Sequence, residues 1–168
     1  MSNNEGFEEK TGLRGFMRLH IVDPDGTIAG DSGWQENQIT DLGFRDYVVR
    51  TIGGLAGSKV ITHAMLGTGG APAAGDTALA GETSEVGVAN SRIALTNATS
   101  STSKTLNMVG TLASGIHTTA YNISNIGLIN HSSTATAGTI AGGLAYTSSA
   151  LASNQAVNIT YNWVFATA

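Results

Sequence analysis

The chain has 168 residues, a hydrophobic fraction of 41%, 22 glycines, no cysteine and a net charge of −4. That length allows one domain with a modest core, because glycine and alanine bury little apolar surface. The missing cysteine excludes disulfides and thiolate metal sites, the scattered Lys/Arg argue against nucleic-acid binding, and no apolar run approaches the roughly 18–20 residues of a bilayer-spanning helix.

Charge is distributed very unevenly. All eight Lys/Arg and all twelve Asp/Glu lie in the first 104 residues, and the 64 residues from 105 to 168 contain none. Soluble domains ordinarily intersperse charge over their surfaces. A neutral stretch of this length points to surface covered by other protein, most simply by further copies of the chain.

In chain order, residues 1–14 read as a polar arm with Phe7 as its one anchor, and 15–168 as a single domain. The acidic start of the chain does not read as a secretory signal. Residues 15–22 alternate as a strand, and Asp23-Pro24-Asp25-Gly26 is a turn in which Pro presets φ and Gly accepts a positive φ. Residues 27–29 resume the extended run and complete a hairpin. Residues 40–52 are the helix candidate, with Thr40 or Asp41 as cap, Leu42, Tyr47, Val48 and Ile52 on one face, and Gly53-Gly54 as stop. Beyond residue 59 the pattern is β: 60–66, parts of 85–95, 105–112, 119–129 with a break at Gly127, 139–146, and 156–165. In the last, Val157, Ile159, Tyr161, Trp163 and Phe165 share a face. Ser/Thr-rich pieces at 96–105, 132–139 and 147–153 read as connections. Many short strands and one helix predict a mainly β fold, a β-sandwich or jelly roll.

Catalytic and metal signatures are weak. His20, His63, His117 and His131 form no spaced ligand pair. Gly67-Thr68-Gly69-Gly70 lacks the lysine of a phosphate loop and reads as a turn. Asp76 and Glu82 have no partner that would make them an acid–base pair, and Asp23, Asp25 and Gly26 lack the rest of an EF-hand loop. There is no G-x-S-x-G elbow. The expectation is a non-enzyme without metal or cofactor. A carbohydrate-binding module using Trp34 or Trp163 is the alternative of another class, and a hydrolase is a third reading.

Several short motifs recur in order: Asn37-Gln38-Ile39-Thr40-Asp41-Leu42-Gly43 before the helix, Met65-Leu66-Gly67-Thr68-Gly69, then Asp76-Thr77-Ala78-Leu79-Ala80-Gly81-Glu82, Arg92, Asn125-Ile126-Gly127-Leu128 and Ile159-Thr160-Tyr161-Asn162-Trp163. This succession resembles a family of small virion proteins of tailed bacteriophages. Asn125 stands where that family often has a Glu facing Arg92. The resemblance implies a structural virion protein, either a capsid decoration (cement) subunit or a tail- or fibre-associated part. Its expected partners are itself, as a homo-oligomer such as a trimer, and the major capsid protein or other virion proteins, with no nucleic acid or membrane. Its expected location is the virion, after synthesis in the host cytoplasm. The candidate interface residues are Phe7, Arg14, Arg18, Arg45, Arg50, Thr134, Thr136, Thr139 and Tyr146, with the loops at 132–153 as the main contact.

Overall fold

The computed structural model describes residues 11–83, 92–99, 103–117, 120–133 and 138–167. Nine strands are present among them: β1 (Thr11–Val22), β2 (Ile28–Asp31), β3 (Gln35–Ile39), β4 (His63–Gly67), β5 (Ile93–Asn97), β6 (Thr105–Leu112), β7 (Tyr121–Ile129), β8 (Ile140–Leu151) and β9 (Ala156–Thr167). One helical segment lies between β3 and β4, π-helical over Gly43–Val49 and α-helical over Arg50–Ile52.

The strands form one antiparallel sheet that closes on itself, which corrects the expected sandwich. The ring runs β1-β3-β8-β7-β4-β5-β6-β9 and returns to β1, an eight-stranded barrel, with β2 paired to β1 beyond β3. The physical reason is the last strand. β9 pairs with β6 on one side through eight residue pairs and with β1 on the other through twelve. Both ladders consume edges that a sandwich would leave open. The shortest ladders of the ring are β3–β8, with Gln38↔Gly143 and Ile39↔Gly142 in register, and β4–β5, with His63↔Ala94 and Ala64↔Ile93.

Alternation explains the core. Met17, Leu19 and Ile21 of β1 face Tyr161, Ile159 and Val157 of β9 across the ladder, and all six are buried. Trp163 packs edge-on against Tyr161, with ring centroids 6.1 Å apart. Leu66, Ile93, Met108, Ile123, Ile126, Leu128, Leu144 and Tyr146 complete the same interior. The outward row is polar and neutral. Asn107 Nδ2 donates to Asn162 Oδ1 at 2.6 Å, and Thr111 Oγ1 donates to Asn158 Oδ1 at 2.9 Å. Cross-strand pairs of this kind stabilise a sheet face without charge, and they account for part of the neutral stretch. Apolar-in, polar-out is the reverse of a lipid-facing barrel.

The turn at residues 23–26 forms as its sequence dictates. Gly26 takes φ +88°, its N–H reaches the Asp23 carbonyl at 2.9 Å, and Asp25 Oδ1 accepts from both Thr27 N–H and Thr27 Oγ1. The strand β1 starts at Thr11, so residues 11–14 belong to the barrel, and residues 1–10 lie outside the described ones. Gly127 does not break β7, and β8 continues to Leu151 through residues expected to be a connection.

A second small core lies outside the barrel wall. Met65, Leu79, Ile129 and Ile140 are buried together beneath the loop that follows β4. Asn125, fully buried, holds that loop: its Nδ2 donates to the Gly70 carbonyl at 2.9 Å and to the Ala80 carbonyl at 2.8 Å. Asp76 Oδ2 accepts from Ala73 N–H, and Glu82 closes the loop by a bidentate pair with Arg92 at 2.7 and 3.0 Å. Arg92 is thus matched by Glu82 rather than by the residue at 125. Replacing Asn125 with Ala removes both hydrogen bonds that tie the loop to β7, at about 2 kcal/mol for the pair. Urea unfolding of Asn125→Ala should show that loss, and limited proteolysis should nick 71–82 first; a loss under about 0.5 kcal/mol contradicts this role.

Candidate assembly surface

The helix caps one mouth of the barrel. Thr40, fully buried, donates from Oγ1 to the Ile140 carbonyl at 2.8 Å and accepts the Gly43 N–H at 3.0 Å, as a capping threonine does. A Cβ at Gly43 would overlap the Ala141 carbonyl, so glycine is what lets the helix start lie against β8. Tyr47 enters the core, and its hydroxyl donates to the Thr139 carbonyl, with Asn130 Oδ1 at 3.3 Å. Burial pushes the Tyr47 hydroxyl well above its usual value, which keeps it a donor.

The helix has an inverted distribution of polarity. Asp46 is buried, while Phe44, Val49 and Ile52 are exposed, Ile52 by 78%. Leu55 and Val60 continue the apolar surface at 54% and 67% exposure. Five of the nine exposed large hydrophobics among the described residues fall between 44 and 60. Scattered exposed leucines and valines are ordinary, but a concentration on one short segment marks a contact surface.

Asp46 is the polar anchor of this surface. Arg45 Nε meets Oδ1 at 2.7 Å, Arg50 Nη1 meets it at 3.1 Å, and the Lys59 N–H donates to the Asp46 carbonyl at 2.9 Å. The Arg45 hydrogen bond, and then the charges of Arg45, Arg50 and Lys59, hold the Asp46 carboxyl below the ordinary range. Two cavities flank the helix. One, of about 560 Å³, opens at the β3–β8 seam beside Phe44. The other, of about 250 Å³, lies between the helix side and β6, with Trp163 in its lining.

The expected interface residues are distributed as follows. Arg14 makes a bidentate pair with Glu36 at 2.8 and 2.7 Å and stacks on Phe16. Arg18 does the same with Asp31 at 3.0 and 2.6 Å. These pairs hold their carboxylates down, Asp31 strongly, but such surface pairs contribute little to stability. Arg45 and Arg50 converge on Asp46, within the apolar helix surface. Tyr146 is buried in the barrel interior and does not face outward. Thr139 is half-buried and offers its carbonyl to Tyr47. Phe7, Thr134 and Thr136 lie outside the described residues. The stretch 132–153 is largely β8 rather than loop.

Other sequence candidates are accounted for locally. Trp163 is a core residue at 4% exposure, which removes it as a sugar platform, whereas Trp34 is half-exposed. Among the described residues no three His, Asp or Glu side chains gather as a metal site. His117 is buried with Nε2 at 2.6 Å from the Ala152 carbonyl, and His63 lies beside Thr62, its pKa lowered by burial and by Arg92. Sequence reasoning missed Phe44, Val49, Leu55 and Val60 as a surface. The available signal was apolar residues on more than one face of the helix, together with a further pair in the loop after it.

The chain matches no protein-family model, and no curated protein or solved structure matches it.

Because the folded Asp46 carboxyl is lowered, its stabilisation is complete above the unfolded value near about pH 4 and is lost as pH falls toward the folded one. Asp46→Asn should destabilise the fold by about 2 kcal/mol at neutral pH and show a shallower loss on acidification. Urea unfolding at pH 6 and pH 3 measures both. Equal acid sensitivity in the two proteins contradicts the assignment.

Proposed function

We propose that this chain is a non-enzymatic structural protein of a tailed-bacteriophage virion, acting as a capsid decoration subunit. The observation that carries the assembly reading is the concentration of exposed apolar residues on the helix and the loop after it: Phe44, Val49, Ile52, Leu55 and Val60. The ordered succession of short motifs supports the virion reading. A decoration subunit works by area: contacts that bury about 1,200–2,000 Å² hold neighbours together without a reaction. This surface supplies an apolar centre with Arg45 and Arg50 at its border, and the neutral face of β6 and β9 can meet another protein with no charge to desolvate. Partners are further copies of the chain and the major capsid protein, and the location is the virion.

Sedimentation tests this reading. The wild-type chain should run well above its 17.1 kDa monomer mass, or bind undecorated heads. Val49→Glu with Ile52→Glu changes only exposed positions, so unfolding should shift by under about 0.5 kcal/mol while assembly is lost. A wild-type chain that stays monomeric and ignores the particle contradicts the proposal.

A further inference from the structure

The two mouths of the barrel carry opposite charge. At the helix mouth Arg45, Arg50 and Lys59 gather about the single buried carboxylate of Asp46, and both arginine side chains keep exposed surface. At the other mouth the turn at residues 23–26 presents Asp23 and Asp25. Among the described residues Asp31, Glu36 and Glu82 each have an arginine of their own, whereas no cation is in contact with Asp23 or Asp25.

Register sets the two groups at opposite ends. Val22 pairs with Ala156 and Leu112 with Val157 at the turn end. Thr11 pairs with Thr167 at the other end, where the helix bonds to the carbonyls of Thr139 and Ile140. The twelve residues of β1 separate them by roughly 35 Å of extended chain. Salt screens most of an exposed attraction beyond about 8–10 Å, so the two ends of one chain do not satisfy each other.

The turn end is also a fixed platform. Gln155 Nε2 donates to Asp23 Oδ1 at 2.8 Å, and the Gly115 N–H donates to the Ser153 carbonyl at 3.0 Å. The loop between β8 and β9 therefore braces both the turn and the loop after β6. Ile28, 58% exposed, adds an apolar residue beside the two carboxylates.

We infer that copies of this chain join head to tail, the helix mouth of one seated on residues 23–28 of the next. Asp23 and Asp25 meet the group of Arg45, Arg50 and Lys59, and Ile28 packs among Val49, Ile52 and Leu55. The inference rests on the assembly reading above and names the partner of the helix surface. Charge decides against the symmetric alternative. Two helix mouths face to face would set the same three cations against each other, which is repulsive. A contact between two different patches closes into a ring where the rotation between neighbours allows, and otherwise continues as a stack.

Sedimentation of full-length variants tests this, with urea unfolding to show that each one folds. Ile28→Glu leaves the hydrogen bonds of the turn in place and should weaken assembly about tenfold or more. Lys59→Glu and Asp25→Lys, each alone, should do the same. Their equimolar mixture should recover assembly, because the new acid of one variant faces the new lysine of the other and the next junction is wild type on both sides. Val49→Glu with Ile52→Glu keeps its turn end, so a minor fraction of that chain should terminate wild-type assemblies and lower their mass. Wild-type assembly by Ile28→Glu and Asp25→Lys, with the Val49→Glu, Ile52→Glu chain inert in the mixture, overturns the head-to-tail contact and leaves the assembly reading standing. A wild-type chain that is monomeric alone yet binds heads does the same, and gives the helix surface to the capsid. A wild-type chain monomeric both alone and with heads overturns the assembly reading itself.

Discussion

Twelve consecutive residue pairs join β1 to β9, from Thr11 opposite Thr167 to Val22 opposite Ala156. This ladder brings residues more than 130 positions apart in sequence into register, and the remaining closure depends on it. The entropy of closing so long a loop grows only slowly with its length, whereas the inner row of the ladder supplies Met17, Leu19, Ile21, Val157, Ile159 and Tyr161 to one interior. β9 then carries β6 on its far side. With both its edges paired, the strand richest in aromatic and branched residues has no edge to offer another chain.

Closure has a consequence for the barrel mouth. A ring of eight strands leaves an opening at each end, and at one end the helix seats Tyr47 into the core with Gly43 against the β8 backbone. The π-helical winding over Gly43–Val49 is an uncommon form. It accompanies a helix that buries a carboxylate and exposes Phe44, Val49 and Ile52. A free domain would gain by the opposite arrangement. The barrel is thus complete at its wall, and the helix that caps this mouth carries exposed apolar residues beside Arg45 and Arg50.

Local pattern made much of the fold legible. The strands at 156–165 and 105–112, and the Pro-Asp-Gly turn, are determined by neighbours in sequence and formed as read, except that Phe165, at the end of the inward row, is exposed. Closure was not legible, because an inward-facing strand alternates identically in a sandwich and in a barrel. Strand β3 was missed because its sequence, Gln-Glu-Asn-Gln-Ile, directs only Asn37 and Ile39 inward. The strand β8 was shortened because Thr147, Ser148 and Ser149 resemble a connection, whereas Gly142 and Gly143, inside the expected 139–146, are where the strand passes against Gln38, Asn37 and Pro72.

The neutral run from 105 to 168 contains strand core and a self-paired outer face, so its lack of charge does not by itself locate an interface. The apolar surface lies instead in the charged half of the chain, where Arg45 and Arg50 hid it from a reading based on charge. Hydrogen exchange on dilute and assembled chain tests this most directly. The account predicts that assembly adds amide protection to residues 43–60, with β8 unchanged over 145–151. Protection gained in 145–151 while 43–60 stays as open as in the dilute chain would contradict it.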